Sequence, residues 1–317
     1  MKPLISINLD RIRTVGAFLK DLPACAPSDW TFEGLPPVGD PHVIDYFFLA
    51  VKHQYGFWRD DGQKYVEPMY GAIGGRHLKG SDFVWHALSR SAARDASIYN
   101  MERQSGMPDS QIFDFFADDR GHCPLPMFET HCALWREYAR DLIGIGKSPK
   151  EIVDGCRRGK NPVADFLRIL TSVGGYKEDP LAKKAALLAV ILANRPEHFF
   201  SPAANFKFPP IVDYHIQRSA LRIGLVRVDD PALESKIRAR NILAEEEEIA
   251  IRQAVYEAME KLAEASGKGI DSLDWFFFQN RRRCPEMTEP ECPKCEIQSV
   301  CARQKDLFQP VRRTTFY

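Results

Sequence analysis

Four cysteines crowd into one short segment near the C-terminus. Cys284, Cys292, Cys295 and Cys301 are spaced C-x7-C-x2-C-x5-C and are interrupted by Pro285, Pro290 and Pro293. Thiols this close in sequence meet on one metal or cluster only if the backbone folds into a tight loop. Soft sulfur donors select zinc, copper(I) or iron–sulfur clusters over hard cations. Zinc ribbons usually bring two C-x2-C pairs together across a longer stretch. Here one such pair is flanked by single cysteines, and the unequal gaps suit a 4Fe–4S cluster with four thiolate ligands. Zinc is the alternative metal, and two disulfides or unrelated buried thiols are the alternatives without a metal.

The remaining cysteines, Cys25, Cys123, Cys132 and Cys156, are scattered, as in a reducing cytosol, so a cytoplasmic location is expected. No apolar run is long enough to span a bilayer. The start, Met1 to Ile5, lacks the apolar core of a secretory signal. A length of 317 residues allows two lobes or one large domain, and 44% hydrophobic with 27% charged residues is ordinary for a globular protein. The formal net charge is zero, which counts against a broadly basic nucleic-acid binder. Local basic patches remain: Arg281, Arg282 and Arg283 lead into the cysteine loop, and Arg312 and Arg313 follow it. Each is a phosphate-contacting patch or simply a solvated face.

The pattern between these features is mostly α. An amphipathic start spans Ile12 to Leu19, and an aromatic, apolar stretch runs from Val43 to Trp58. Glycines from Gly71 to Gly80 mark a turn after a short hairpin, the one β-element expected, with Ser81 as N-cap of a helix through Trp85 and Leu88. Helices are expected over Met127–Ile143, Pro149–Cys156 and Val163–Leu170. The run Leu181–Ala193, apolar after Lys183 and Lys184, predicts a buried central helix. Pro209 to Val212 give an extended entry to a helix over Tyr214–Leu225. Glu245 to Glu248 open a helix through Leu262, with acids at the positive end of its dipole.

Asp213 stands at a helix start after two prolines. Such a carboxylate serves as an N-cap or, at the rim of a cleft, stabilises a developing cation or orients a water. The segment from Phe208 to Gly224 resembles the catalytic segment of helix-hairpin-helix base-excision DNA glycosylases: an apolar pair, the catalytic Asp, then a helix with a His-x-x-Arg pattern. In the endonuclease III branch of that family, a helix with aromatic residues leads into a four-Cys iron–sulfur loop. Here Trp275 to Phe278 precede Cys284, and the first cysteine gap holds seven residues where the family has six. His215 projects from another side of the helix, so no direct dyad with Asp213 is expected.

A second resemblance covers more of the chain. Phe47 and Phe48 through Phe57 and Trp58, the Gly80–Ser81 turn, Pro124 and Leu125, and Asp213 with Tyr214 are similar to the queuosine-salvage N-glycosylases. Those enzymes release a deazaguanine base from a nucleotide. The likeness implies Phe57 and Trp58 as walls of a base pocket, with core aromatics as the plain alternative. Val51 and Gln54 stand where that family would be expected to carry Asp and Asn. The hairpin region from Ser172 to Ala186 has two adjacent glycines and an insertion before its lysines, so a weak phosphate grip is expected. Lys184, with Lys183 as rival, lies roughly where bifunctional members place a Schiff-base lysine, whose amine needs desolvation.

Together these resemblances imply a two-lobed helix-hairpin-helix glycosylase-like fold: an N-terminal lobe over 1–125, a core over 126–270 and a cluster loop over 271–317. The implied function is hydrolysis of the N-glycosidic bond of a modified base in DNA. Asp213 would be catalytic, and Gln54, Phe57, Trp58 and Tyr214 would line the base site. Alternatives are hydrolysis of a modified deazaguanine-type nucleotide and a non-catalytic nucleic-acid binder that kept the fold. No Walker loop, Rossmann fingerprint or nucleophile elbow is present.

Overall fold

A computed structural model describes residues 4–203, 206–310 and 312–317; Met1 to Pro3 of the start considered above lie outside the described residues. The helices are α1 (Leu9–Lys20), α2 (Val43–Val51), α3 (Gly80–Arg94), α4 (Met101–Ser105), α5 (Asp109–Phe116), α6 (Phe128–Ile145) and α7 (Pro149–Arg157). They continue as α8 (Pro162–Leu170), α9 (Lys183–Asn194), α10 (Tyr214–Ile223), α11 (Pro231–Arg238), α12 (Glu245–Ser266) and α13 (Ile270–Asn280). The strands are short: β1 (Ile5–Ile7), β2 (Trp58–Asp60), β3 (Tyr65–Pro68), β4 (Tyr70–Ile73), β5 (Arg76–Lys79) and β6 (Val226–Val228). The protein is mostly α, and no described helix is long and apolar enough to cross a membrane.

The chain forms two compact units. One comprises Met1–Ser28, Asp60–Glu67 and Lys207–Arg313; the other comprises Asp29–Arg59, Pro68–Phe206 and Thr314–Tyr317. This grouping differs from consecutive blocks divided at 125 and 270, because the N-terminus joins the C-terminal half. β1 pairs antiparallel with β6, Ile5 opposite Val228 and Ile7 opposite Val226, and α1 packs along α12. The contact is close at Gly16, where an added Cβ would stand 2.6 Å from the Ala265 Cβ. Gly16→Ala is therefore expected to destabilise this unit by roughly 1–3 kcal/mol through overpacking, read as a lower midpoint in a thermal melt. Val15, Leu19, Leu221, Val255, Leu262 and Leu273 fill its core.

In the second unit α9 is buried from Lys183 to Ala193, with α2 and α8 against it. The sequence placed this central helix correctly, but a low-period apolar run does not reveal that both lysines are buried too. β4 and β5 form a hairpin around Gly74 and Gly75, both at positive φ, within the Gly71–Gly80 stretch expected to be a turn following a hairpin. Two expectations are corrected. Ser81 is not the N-cap of α3: the helix begins at Gly80, capped by Lys79 with no side-chain bond, because the β5 strand runs straight into it. The β-structure also extends beyond one element before residue 80, since β6 supplies a strand for β1 from far along the chain.

Candidate active site and cysteine centre

Pro209 to Val212 deliver an extended chain to Asp213, whose φ of −107° and ψ of −175° make it the N-cap of α10. Its Oδ1 accepts from the backbone N–H groups of His215 (2.7 Å) and Ile216 (2.9 Å). Capping thus fixes the carboxylate's orientation while using one oxygen; Oδ2 takes part in neither bond. The residue is partly exposed. Beside it Tyr214 is buried, and burial first, then the carboxylates of Glu286 and Asp213, push its hydroxyl well above the ordinary pKa. Tyr214 is therefore a neutral phenol.

Behind Asp213 lies a buried charged group. His215 Nδ1 is 3.1 Å from Arg218 Nη2 and 3.3 Å from Glu286 Oε1, and Arg218 Nη1 is 3.0 Å from that same oxygen. The Arg218–Glu286 pair is close in distance but lacks hydrogen-bond alignment. Because arginine only donates, its bond to His215 requires the imidazole proton on Nε2; a bond to Glu286 requires it on Nδ1 instead. The His215 ring thus pairs within this group.

At the other end of α10, Gly224 closes the helix at φ 87° and the cysteine loop packs on it. Ala302 and Gln304 donate their backbone N–H groups to the carbonyls of Ile223 and Arg222, both at 3.0 Å. Cys284, Cys292, Cys295 and Cys301 line one cavity together with Arg222 and Asn280. Buried Ile297 anchors the loop in the core. All eight cysteines are free thiols, and burial pushes the thiols of Cys295 and Cys301 above their ordinary range. Among the described residues no three His, Cys, Asp or Glu side chains stand together as ligands of a single metal ion. In a cube each thiolate binds a different iron, so its ligands spread more widely than the four around one zinc. A single shared cavity walled by four thiols fits such a donor set.

Of the basic run, Arg281 stacks its guanidinium 3.6 Å from the Phe278 ring centroid and Arg283 pairs with Glu291 at 3.2 Å. Arg282 is exposed.

The other expected site residues belong to the second unit. Phe57 and Trp58 are each 5% exposed and Gln54 is 3%; the Gln54 amide donates to the Ala50 carbonyl at 3.3 Å. Lys183 Nζ lies 3.4 Å from the Gln54 carbonyl. Lys184 is fully buried, its Nζ donating to the Lys52 carbonyl at 3.3 Å and standing 4.9 Å from the Tyr55 ring centroid. Sequence reasoning missed the group around it. Lys52, fully buried, has no hydrogen-bond partner for Nζ, which lies 3.7 Å from the Tyr138 ring centroid and 4.8 Å from that of Trp135. Burial, then the neighbouring Lys184, lowers its pKa well below the usual lysine value. The signal was present as a polar run, Lys52-His53-Gln54, closing an apolar helix.

Next to it, His53 and His131 share an Nδ1···Nδ1 hydrogen bond of 2.9 Å. One ring must donate and the other accept, so the two are opposite neutral tautomers. Trp135 stacks on His53 and Tyr55 on His131. Burial, reinforced by Lys184 and Lys52, pushes the His131 pKa down to about 3 and lowers that of His53 as well. Unfolded imidazoles protonate near pH 6.5. Between that pH and the folded value the unfolded state binds more protons, so this contribution is intact above 6.5 and lost as pH falls toward 3. Melts at decreasing pH are expected to show this loss, and a His53→Phe/His131→Phe variant a shallower acid slope.

The chain matches no family model and no curated protein.

Proposed function

We propose that the chain is an N-glycosylase that hydrolyses the N-glycosidic bond of a modified base in DNA, with Asp213 as its catalytic carboxylate and a 4Fe–4S cluster in the four-Cys cavity. One observation carries this: α10 holds Asp213 at its first residue's cap and the cysteine loop at its last turn. The two motifs that resemble the endonuclease III branch meet on a single helix. Cys284, Cys292, Cys295 and Cys301 would hold the cluster, which when bound cross-links the loop that braces α10.

Departure of a base leaves positive charge on the sugar. The free Oδ2 of Asp213 is suited to stabilise that charge and to orient the attacking water, while the cap bonds at Oδ1 keep the carboxylate from turning away. Buried, neutral Tyr214 adds a ring beside it. A duplex substrate requires the nucleotide to be flipped out, with Arg281, Arg282 and Arg283 contacting backbone phosphates. Hydrolysis needs no amine nucleophile, and Lys184 is fully buried with its Nζ on the Lys52 carbonyl.

The zero net charge favours a second reading, a hydrolase of a modified deazaguanine-type nucleotide. Salt separates the two. For DNA, affinity is expected to fall steeply between low and moderate salt as counterions are released, measured by fluorescence anisotropy with a labelled oligonucleotide. A flat response would assign the mononucleotide. Binding without any base release would assign a non-catalytic nucleic-acid binder.

A further inference from the structure

We infer that Arg222 is the cationic counter-group of the four-Cys centre and sets its one-electron reduction potential; this role rests on the cluster reading above. Arg222 is 3% exposed, at the last turn of α10, and lines the cavity with the four cysteines. Its Nη1 donates to Cys284 Sγ (3.2 Å) and to the Pro285 carbonyl (2.9 Å), and its Nε donates to the Leu307 carbonyl (3.0 Å). The Phe308 ring centroid lies 5.6 Å from the guanidinium. No carboxylate among the described residues pairs with it.

The other arginines at the cavity differ. Arg283 is paired with Glu291. Arg303 is exposed and gives its side chain to the Gln298 carbonyl, and only its backbone N–H reaches a sulfur, Cys301 Sγ at 3.3 Å. Arg222 alone is a buried cation held by carbonyls and a thiol. Such a charge is costly without an anion. Four thiolates on a metal centre are anionic overall and supply the missing charge where Nη1 points. One-electron reduction adds a further negative charge to that centre, so a buried donor on its sulfur stabilises the reduced form more than the oxidised one. The electron comes from an external one-electron reductant; no bond forms or breaks and no proton moves.

The test uses the full chain, purified without oxygen, with iron and zinc content, visible absorbance and a dithionite titration of the midpoint potential. Arg222→Met is expected to shift the redox equilibrium at least tenfold toward the oxidised form, a midpoint lower by 59 mV or more for a one-electron couple. Arg222→Lys, which keeps the charge, is expected to recover more than half of that shift. An iron-loaded Arg222→Met protein with an unmoved potential would overturn the role of Arg222 and leave the cluster reading standing. If Arg222→Met does not retain iron, the uncharged Arg222→Gln carries the test: a lowered potential upholds the assignment and an unchanged one overturns it. Wild-type protein holding zinc, or no metal, would overturn the cluster reading and this role together.

Discussion

Asp213→Asn is expected to reduce base release by about 100-fold or more while leaving stability within a few tenths of a kcal/mol. The two effects separate because Asp213 does two jobs with two oxygens. As a cap it offers Oδ1 to the N–H groups of His215 and Ile216, and asparagine caps helices as well as aspartate does. As a catalytic group it needs negative charge facing the sugar, which an amide lacks. Asp213→Ala should lose both, adding a cost of roughly 0.5–2 kcal/mol for the missing cap. Turnover assays paired with urea melts on the two variants distinguish these roles. Full activity in Asp213→Asn would confine Asp213 to capping.

Lys52→Met is expected to stabilise the second unit by on the order of 1–4 kcal/mol. The lysine is fully buried with its amine unpartnered among aromatic rings, so burial disfavours its charged form and keeping the amine there costs stability. Methionine fills a similar shape without that cost. The pH dependence gives a second readout. The folded pKa lies below the unfolded one near 10.5, so the unfolded state binds the extra proton and wild-type stability rises as pH climbs toward 10.5. In Lys52→Met that rise should flatten. A lower melting midpoint in the variant would mean that the amine is paired in solution. A stabilising substitution at so dry a position would mark Lys52 as a residue kept at a stability cost, and cost of this kind concentrates at functional sites.

Periodicity made the long helices legible. The expected spans at Met127, Pro149, Val163, Leu181, Tyr214 and Glu245 all became helices, with ends shifted by a few residues, because each buries an apolar stripe that composition reveals. The β1–β6 pair was invisible, since three-residue strands carry almost no period and their pairing depends on α1 docking along α12. The N-cap at Asp213 was weighed from its two prolines and proved structural in geometry, which does not conflict with a second task for its other oxygen. Partners contributed by distant loops could not be anticipated. Glu286 reaches His215 and Arg218 from just beyond Cys284, and Arg222 meets Cys284 from one helical turn past Arg218. In sequence these are an acid in a charged loop and an arginine on an amphipathic helix. Only folding turns them into neighbours of the two candidate centres.

The most direct measurement is a mass-spectrometric search for free base after incubating the full chain with a panel of modified-base oligonucleotides, nucleotides and nucleosides, alongside Asp213→Asn. The wild-type protein is expected to release a free base from at least one member, and Asp213→Asn from none. No free base from any of them, or equal amounts from both proteins, would contradict the glycosylase assignment.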